Sequence, residues 1–462
     1  MLAHGAWGLA RDATLTLRSP WSRDYGEGCV LGMAQLLAAR GSYFPDLADY
    51  PLLVANYPPV FVSLVAAGQW AFGPSLFFPR LLGLAATLGL VAVLFSLLRR
   101  LTGETAPAAA LAGLFVLPWF VATWAALARV DTLAILLSLA GLGVVLRHGV
   151  ARRAWPALPL LWLAFFTKQN ALLVPAALLL DLAFARDRRA LRAALAYGVP
   201  LAALFGALVA VTHGAAWRHL VPYTAAADYE PGRMAESYLQ FAVGAAPLLL
   251  LILVALARVP RAFAAGTGRV LLLYFAFNLL ALSTIAKAGA AQNYFLEPWA
   301  ATLLLAAFSL RVLAEAAPAL QAWRFAALLA AAVVAAYSYP SLHRLPQALR
   351  APQNAREFAT LTRMIRETPG DVLCENLSLL VLNRRPVLVE PFGVLLIARH
   401  GLLATDRLVR DCEAGRFPLV VSERRMTEIP GFGECLERRY QPVADLGPYQ
   451  ALRPRPQPLS GR

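Results

Sequence analysis

The sequence predicts a polytopic α-helical membrane protein, a bundle of about ten membrane segments, with a small α/β domain near its C-terminal end. Three observations predict it. Of the 462 residues 59% are hydrophobic, and up to about position 340 the apolar residues come in long runs rather than in alternation. Clusters of Arg punctuate those runs. Beyond Tyr339-Pro340 the composition turns polar, with short apolar runs set among helical stretches.

A hydrocarbon core about 30 Å thick takes roughly 20 apolar residues per helix. Only helices and closed barrels satisfy their backbone inside a bilayer, and unbroken apolar runs exclude the alternating barrel pattern. The candidate spans are 75–98, 106–126, 132–147, 190–212, 241–257, 269–286, 294–311 and 322–339. A pair of shorter segments, 154–166 and 170–185, lies between the third and fourth of these, and helices broken at membrane depth are tolerated where they line a wet cavity. Segment 59–72 is too short to cross and reads as an interfacial helix.

The formal net charge is +15, from 42 Lys and Arg against 27 Asp and Glu. The Arg residues sit in short inter-helix loops, so they read as topology determinants and not as a nucleic-acid-binding stripe. Arg99 and Arg100; Arg147, Arg152 and Arg153; Arg186, Arg188, Arg189 and Arg192; Arg258, Arg261 and Arg269; and Arg311 and Arg324 all fall on one side. The opposite loops hold Arg129, Arg218, Arg233 and Lys287. The positive-inside rule makes the Arg-rich side cytoplasmic. The resulting order is an extracytoplasmic first loop with interfacial helices over 1–74, a transmembrane domain over 75–340, an extracytoplasmic α/β domain over 341–452 and a disordered tail over 453–462.

In that last domain a helix is expected over 353–367, strands at 371–374, 386–389 and 418–421, and helical stretches at 394–400 and 405–415. The four Cys (29, 374, 412 and 435) show no metal-ligand spacing. A Cys374–Cys412 or a Cys412–Cys435 bridge is open to a domain outside the cell. The start of the chain has no signal-peptide pattern.

The residues that carry chemistry lie in the outer loops. Asp24 and Glu27 flank Gly26 in the first loop, followed by an amphipathic segment, 30–40, suited to a membrane surface. Ionisable groups at a membrane edge are costly and are functional candidates by default. Asn56-Tyr57-Pro58-Pro59, Arg129-Val130-Asp131 and Asn293-Tyr294 fall on the same side. Lys occurs only at 168 and 287 in this Arg-rich chain, and Lys168-Gln169 sits at the turn of the short pair. Each feature also has a plain structural reading: a solvated loop for Asp24 and Glu27, a helix-start ion pair for Arg129 and Asp131, snorkelling for Lys168. Their common sidedness favours one outward-facing site.

Read in order, Asp24-Tyr25-Gly26-Glu27-Gly28, Asn56-Tyr57-Pro58-Pro59, Arg129-Val130-Asp131, Phe166-Thr167-Lys168-Gln169 and Gln292-Asn293-Tyr294-Phe295-Leu296-Glu297 resemble the pattern of bacterial GT-C glycosyltransferases of the protein-mannosyltransferase-like and aminoarabinose-transferase-like group. The resemblance spans most of residues 23–300. It implies transfer of a sugar from a polyprenyl-phosphate donor, with inversion, at the outer face of the bacterial inner membrane. It makes Asp24 the catalytic carboxylate, with Glu27 as the neighbouring candidate, gives Asp131 the second-loop acid, and sets Lys168, helped by Arg129 or Lys287, against the donor phosphate. Gln169, Tyr57, Asn293 and Tyr294 are the other binding candidates. Some such enzymes hold a divalent metal; this sequence shows no evident ligand cluster, so no cofactor is certain and a divalent metal stays open. The partners implied are the lipid-linked donor, membrane lipid and an acceptor that is lipid, protein or glycan.

The same resemblance implies a membrane helix before the acidic loop. Residues 1–22 contain His4, Arg11, Asp12 and Arg18 and no apolar run of that length, so an apolar stretch encoded upstream of Met1 is expected. Two other classes compete. A transporter or flippase for a lipid-linked sugar needs symmetry between halves, which the sequence does not show. A non-catalytic membrane scaffold would leave the outer carboxylates dispensable.

Overall fold

The computed structural model describes residues 2–148, 155–316 and 355–456. The expected span 322–339 and the residues around the 340/341 boundary lie outside them. Helix α1 (Leu2–Arg18) packs on the helical domain, and α2 (Tyr25–Arg40) follows. Asp24 caps α2: its backbone is extended and its side chain accepts from the Gly26 N–H, while Gly41 ends the helix in the left-handed region. Asp24 and Glu27 thus belong to a helix start, not to an open loop. Next come α3 (Pro59–Phe72), with Pro at its first position, and α4 (Phe77–Thr102).

The expected span 106–126 is two helices, α5 (Thr105–Val116) and α6 (Trp119–Trp124). Pro118 divides them: it has no N–H to give and its own backbone is extended, while Leu117 before it stays helical. Then follow α7 (Asp131–His148), the short pair α8 (Ala157–Thr167) and α9 (Leu173–Phe184), and α10 (Arg189–Val211). A single turn, α11 (Ala215–Arg218), runs into a π-helical stretch at His219–Tyr223. The long helices α12 (Pro231–Arg258), α13 (Gly266–Leu282) and α14 (Leu296–Ala316) complete the described helical domain.

Five stretches among the described residues are long and apolar enough to cross a membrane: Phe77–Thr102, Arg189–Val211, Pro231–Arg258, Gly266–Ala286 and Gln292–Ala316. The chain is a multi-pass membrane protein. Leu90, Phe115, Leu139, Phe241, Tyr274 and Trp299 form part of one buried core through α4, α5, α7, α12, α13 and α14. Trp299 settles its indole N–H on the Leu114 carbonyl at 3.2 Å. Helix α10 faces outward with Leu191, Leu195, Val199, Leu204 and Val211 exposed, and only Tyr197 of its residues buried. A helix that turns apolar side chains outward suits lipid, not water.

The C-terminal domain has a four-stranded sheet of order β1-β2-β4-β3. Strand β1 (Val372–Cys374) runs parallel to β2 (Leu419–Ser422); β3 (Tyr440–Leu446) and β4 (Tyr449–Pro454) form an antiparallel hairpin, with β4 against β2. Helices at Ala355–Glu367, Leu377–Leu382, Pro391–Arg399, Asp406–Glu413 and Phe432–Arg439 surround it. Cys412 and Cys435 are joined by a disulfide, while Cys29 and Cys374 are free. Strand β4 runs two residues into the expected disordered tail.

The expected strand at 386–389 is not one. Its hydrogen bonds go to the first loop: Leu52 N donates to Leu388 O and Glu390 N donates to Leu52 O, both at 2.7 Å. Helix α2, expected to lie on a membrane surface, is instead buried along Gly26–Ala34, apart from Cys29, which is half-buried, and packed against the helix Leu377–Leu382. Gly28 permits that approach, since a Cβ there would come 2.9 Å from the Ser378 nitrogen. Val30, Leu53 and Phe61 of the first loop share one core with Leu380, Val387 and Val421. The first loop and the C-terminal domain are one packed body.

Candidate active site

A cavity of about 450 Å³ opens between this body and the helical domain, lined among others by Asp24, Tyr57, Arg129, Lys168, Gln169, Lys287, Asn293 and Tyr294. These are residues from five separate stretches of sequence, and the fold brings them together. Asp131 stands just behind, 2% exposed.

Asp24 Oδ2 lies 2.9 Å from Arg129 Nη1 and 2.8 Å from the Gly26 nitrogen. The guanidinium can lie there because residue 26 has no side chain; a Cβ would collide with Arg129 Nη1. Burial pushes the Asp24 carboxyl above its ordinary range, and the Arg129 charge only partly offsets this. Arg129 also sits over the rings of Trp124 (5.1 Å) and Tyr57 (5.8 Å). Burial raises the Tyr57 phenol to about 12.

Asp131, at the first residue of α7, collects the second half of the site. Its Oδ1 accepts from Lys168 Nζ and from Asn293 Nδ2, each at 2.7 Å, and its Oδ2 stands 3.7 Å from Arg129 Nε. Lys168 ends α8 and lies 4.8 Å over the Tyr294 ring. Gln169 donates to the Asn56 carbonyl at 3.0 Å, tying the α8–α9 turn to the first loop. Lys287 lies 5.8 Å over the Tyr229 ring on the far wall. Arg129 Nε, Asp131 Oδ2, Asn56 Oδ1 and Asn293 Oδ1 are buried without a protein hydrogen-bond partner, all around this cavity. Among the described residues no group of three or more His, Cys, Asp or Glu gathers that could hold a metal ion.

Glu27 stands apart from its expected companion. It does not line the cavity, is fully buried, and forms a two-pronged ion pair with Arg80 at 2.8 Å per bond. Burial works to raise its carboxyl, but the Arg80 bonds and two backbone N–H groups override that and hold it below its usual range.

Sequence reasoning missed the wall built by the C-terminal domain. Tyr25 donates to Glu390 Oε1 at 2.6 Å, and Glu390 caps the helix Pro391–Arg399 by accepting from Phe392 N and Gly393 N. Arg425 lies 4.6 Å over the Tyr25 ring and 5.6 Å over that of Phe392. It is held by Glu375, which also accepts from the backbone of residues 423–425. The helical stretch expected at 394–400 begins earlier, at Pro391, and no local signal says what stands opposite Glu390.

No family model matches the sequence, and no curated protein matches it. In fold the chain is similar to ArnT from Cupriavidus metallidurans, at 14% identity over 97% of this chain. The apo form of that protein gives a TM-score of 0.63 with 97% of it covered; the form bound to undecaprenyl phosphate gives 0.64 with 96% covered. It is also similar to the Archaeoglobus fulgidus oligosaccharyltransferase, solved in complex with zinc and sulfate, at 13% identity, 94% of this chain, 71% of that one and a TM-score of 0.51. The arrangement of helical domain, first loop and C-terminal domain is therefore a fold shared with ArnT and with the archaeal oligosaccharyltransferase. The likeness to ArnT spans nearly the whole of both chains.

Proposed function

We propose that this protein is a glycosyltransferase that moves a sugar from a polyprenyl-phosphate donor to an acceptor at the extracytoplasmic membrane face, with inversion at the anomeric carbon. The observation that carries the reading is one cavity in which the Asp24 carboxylate faces Arg129, Lys168 and Lys287. Cations there suit a leaving phosphate, and a carboxylate suits an acceptor's proton.

In this mechanism the acceptor hydroxyl or amine attacks the anomeric carbon from the face opposite the phosphate. The carbon–oxygen bond to phosphate breaks and its electron pair leaves with the lipid phosphate. Asp24, with its pKa lifted by burial, receives the acceptor proton. Lys168, oriented by Asp131 and Asn293, and Arg129 balance the charge that grows on the phosphate. Their partnerless buried atoms offer further hydrogen bonds to substrate. Gln169, Tyr57 and Tyr294 shape the space between the two groups. ArnT bound to undecaprenyl phosphate supports the donor class.

The outward orientation is supported by the Arg asymmetry of the loops and by the Cys412–Cys435 disulfide, a bond suited to an oxidising compartment. The test is transfer from an undecaprenyl-phosphate sugar by purified protein in vesicles. Transfer by the wild type and loss of it in Asp24→Asn is the expected result; equal rates in the two would remove Asp24 from the chemistry.

A further inference from the structure

Arg80 and Glu27 lie outside the cavity, yet they hold both flanks of its central ion pair. Both side chains are fully buried. Glu27 Oε1 accepts from Arg80 Nε at 2.8 Å and from the backbone nitrogen of Ala128 at 3.0 Å, one residue before Arg129. Glu27 Oε2 accepts from Arg80 Nη2 and from the backbone nitrogen of Arg23, each at 2.8 Å, one residue before Asp24. Each oxygen of one carboxylate thus grips the backbone beside one member of the Asp24–Arg129 pair. Arg80 spans both oxygens and is itself fixed by the carbonyls of Thr16 (2.7 Å), Ser19 (2.6 Å) and Trp21 (2.7 Å) at the end of α1.

We propose that Arg80 and Glu27 are positioning residues for the transfer reaction: the pair sets the separation and orientation of Asp24 and Arg129, and so of the proton acceptor and the phosphate-facing cation. The proposal rests on the function argued above. Stability alone does not call for such a pair. Removing two charges from water is costly, and buried ion pairs are often replaceable by apolar side chains without loss of stability. What an apolar pair lacks is a rigid, two-pronged link between three segments: the end of α1, the first turn of α2 and the loop before α7. A displacement of about 1 Å in a catalytic group costs on the order of 10²-fold in rate.

Arg80→Lys is the variant that tests this. It keeps the buried charge but cannot span both Glu27 oxygens and three carbonyls from one rigid fork. The expected outcome is a folded protein whose affinity for undecaprenyl phosphate changes by less than about twofold while kcat falls about tenfold or more, a smaller cost than a full 1 Å displacement. In an Asp24→Asn background the same change should cost clearly less than in the wild type, because the part of its effect that passes through Asp24 is already lost. If Arg80→Lys fails to fold, Glu27→Asp, which keeps both charges and shortens one arm, faces the same criteria. Wild-type kcat in a folded variant, or a loss that adds in full to that of Asp24→Asn, overturns the positioning role and leaves the functional reading intact. Absence of transfer by the wild type in the same vesicles overturns the functional reading, and this proposal with it.

Discussion

Lys168 Nζ and Asp131 Oδ1 are 2.7 Å apart, and each belongs to a different helix end: Lys168 closes α8 and Asp131 opens α7. Asp131 is nearly inaccessible while Lys168 borders the cavity. In the proposed reaction the carboxylate is therefore the fixed anchor and the ammonium the part that meets the donor phosphate. A charged hydrogen bond to phosphate contributes about 1.5–3 kcal/mol. Lys168→Met should weaken binding of undecaprenyl phosphate about 10- to 100-fold, read by titration in detergent, with the protein still folded. Asp131→Asn should instead destabilise it, by about 3–5 kcal/mol, because it leaves buried cations short of a counter-charge.

Asp24 predicts a pH dependence. Its carboxyl is raised by burial, so the deprotonated form that the proposed reaction needs disappears at a pH above the ordinary carboxylate range as acid is added. The rate of transfer should fall on that limb with unit slope. Asp24→Asn should be slower by about 10²–10⁴-fold and should lack the limb. A limb that persists in Asp24→Asn would assign the titration to another group.

His219 predicts a second, separate acid effect, on stability. It is 1% exposed, takes the Ala55 N–H on Nδ1 (3.1 Å) and holds the Pro45 carbonyl with Nε2 (2.9 Å), a pattern that needs the neutral ring. Burial lowers its pKa from 6.5 to about 4. Between those values the unfolded chain binds a proton that the folded one refuses. Stability is therefore full above about pH 6.5 and declines as pH falls towards 4, by about 3 kcal/mol in all. The thermal midpoint measured across that window should drop, and His219→Gln should flatten the slope.

The orientation is tested with single cysteines at exposed positions. Glu236→Cys and Arg424→Cys should react with a membrane-impermeant maleimide in intact cells. Labelling of both only after permeabilisation would reverse the topology and move the site to the cytoplasm.

The helical membrane fold was legible because apolar run length and Arg placement are local signals that the bilayer enforces. The Lys168 turn was legible for the same reason: two arms too short to cross must turn back. The hairpin Tyr440–Pro454 was not, since Pro442, Gly447 and Pro448 interrupt the alternation by which a strand is recognised. Pro442 is accommodated at a register shift on the edge strand β3. Asp24, Arg129 and Lys168 could be gathered by sidedness alone. Glu390 and Arg425 could not, because nothing in a sequence reports what a domain more than 350 residues further on will face. Arg80 stands inside an apolar run, and nothing local to it points to Glu27 as its partner.

The packing of α2 against the helix Leu377–Leu382 sets a timetable for the chain. Helix α2 leaves the ribosome early, and the surface that covers it is made some 350 residues later. Until then the face of α2 that meets Leu377–Leu382 stays bare, with α3 and the Glu27–Arg80 pair among its other contacts. That face of α2 is therefore uncovered through the synthesis of every later span. A chain cut short before Leu377 would leave that face of α2 exposed.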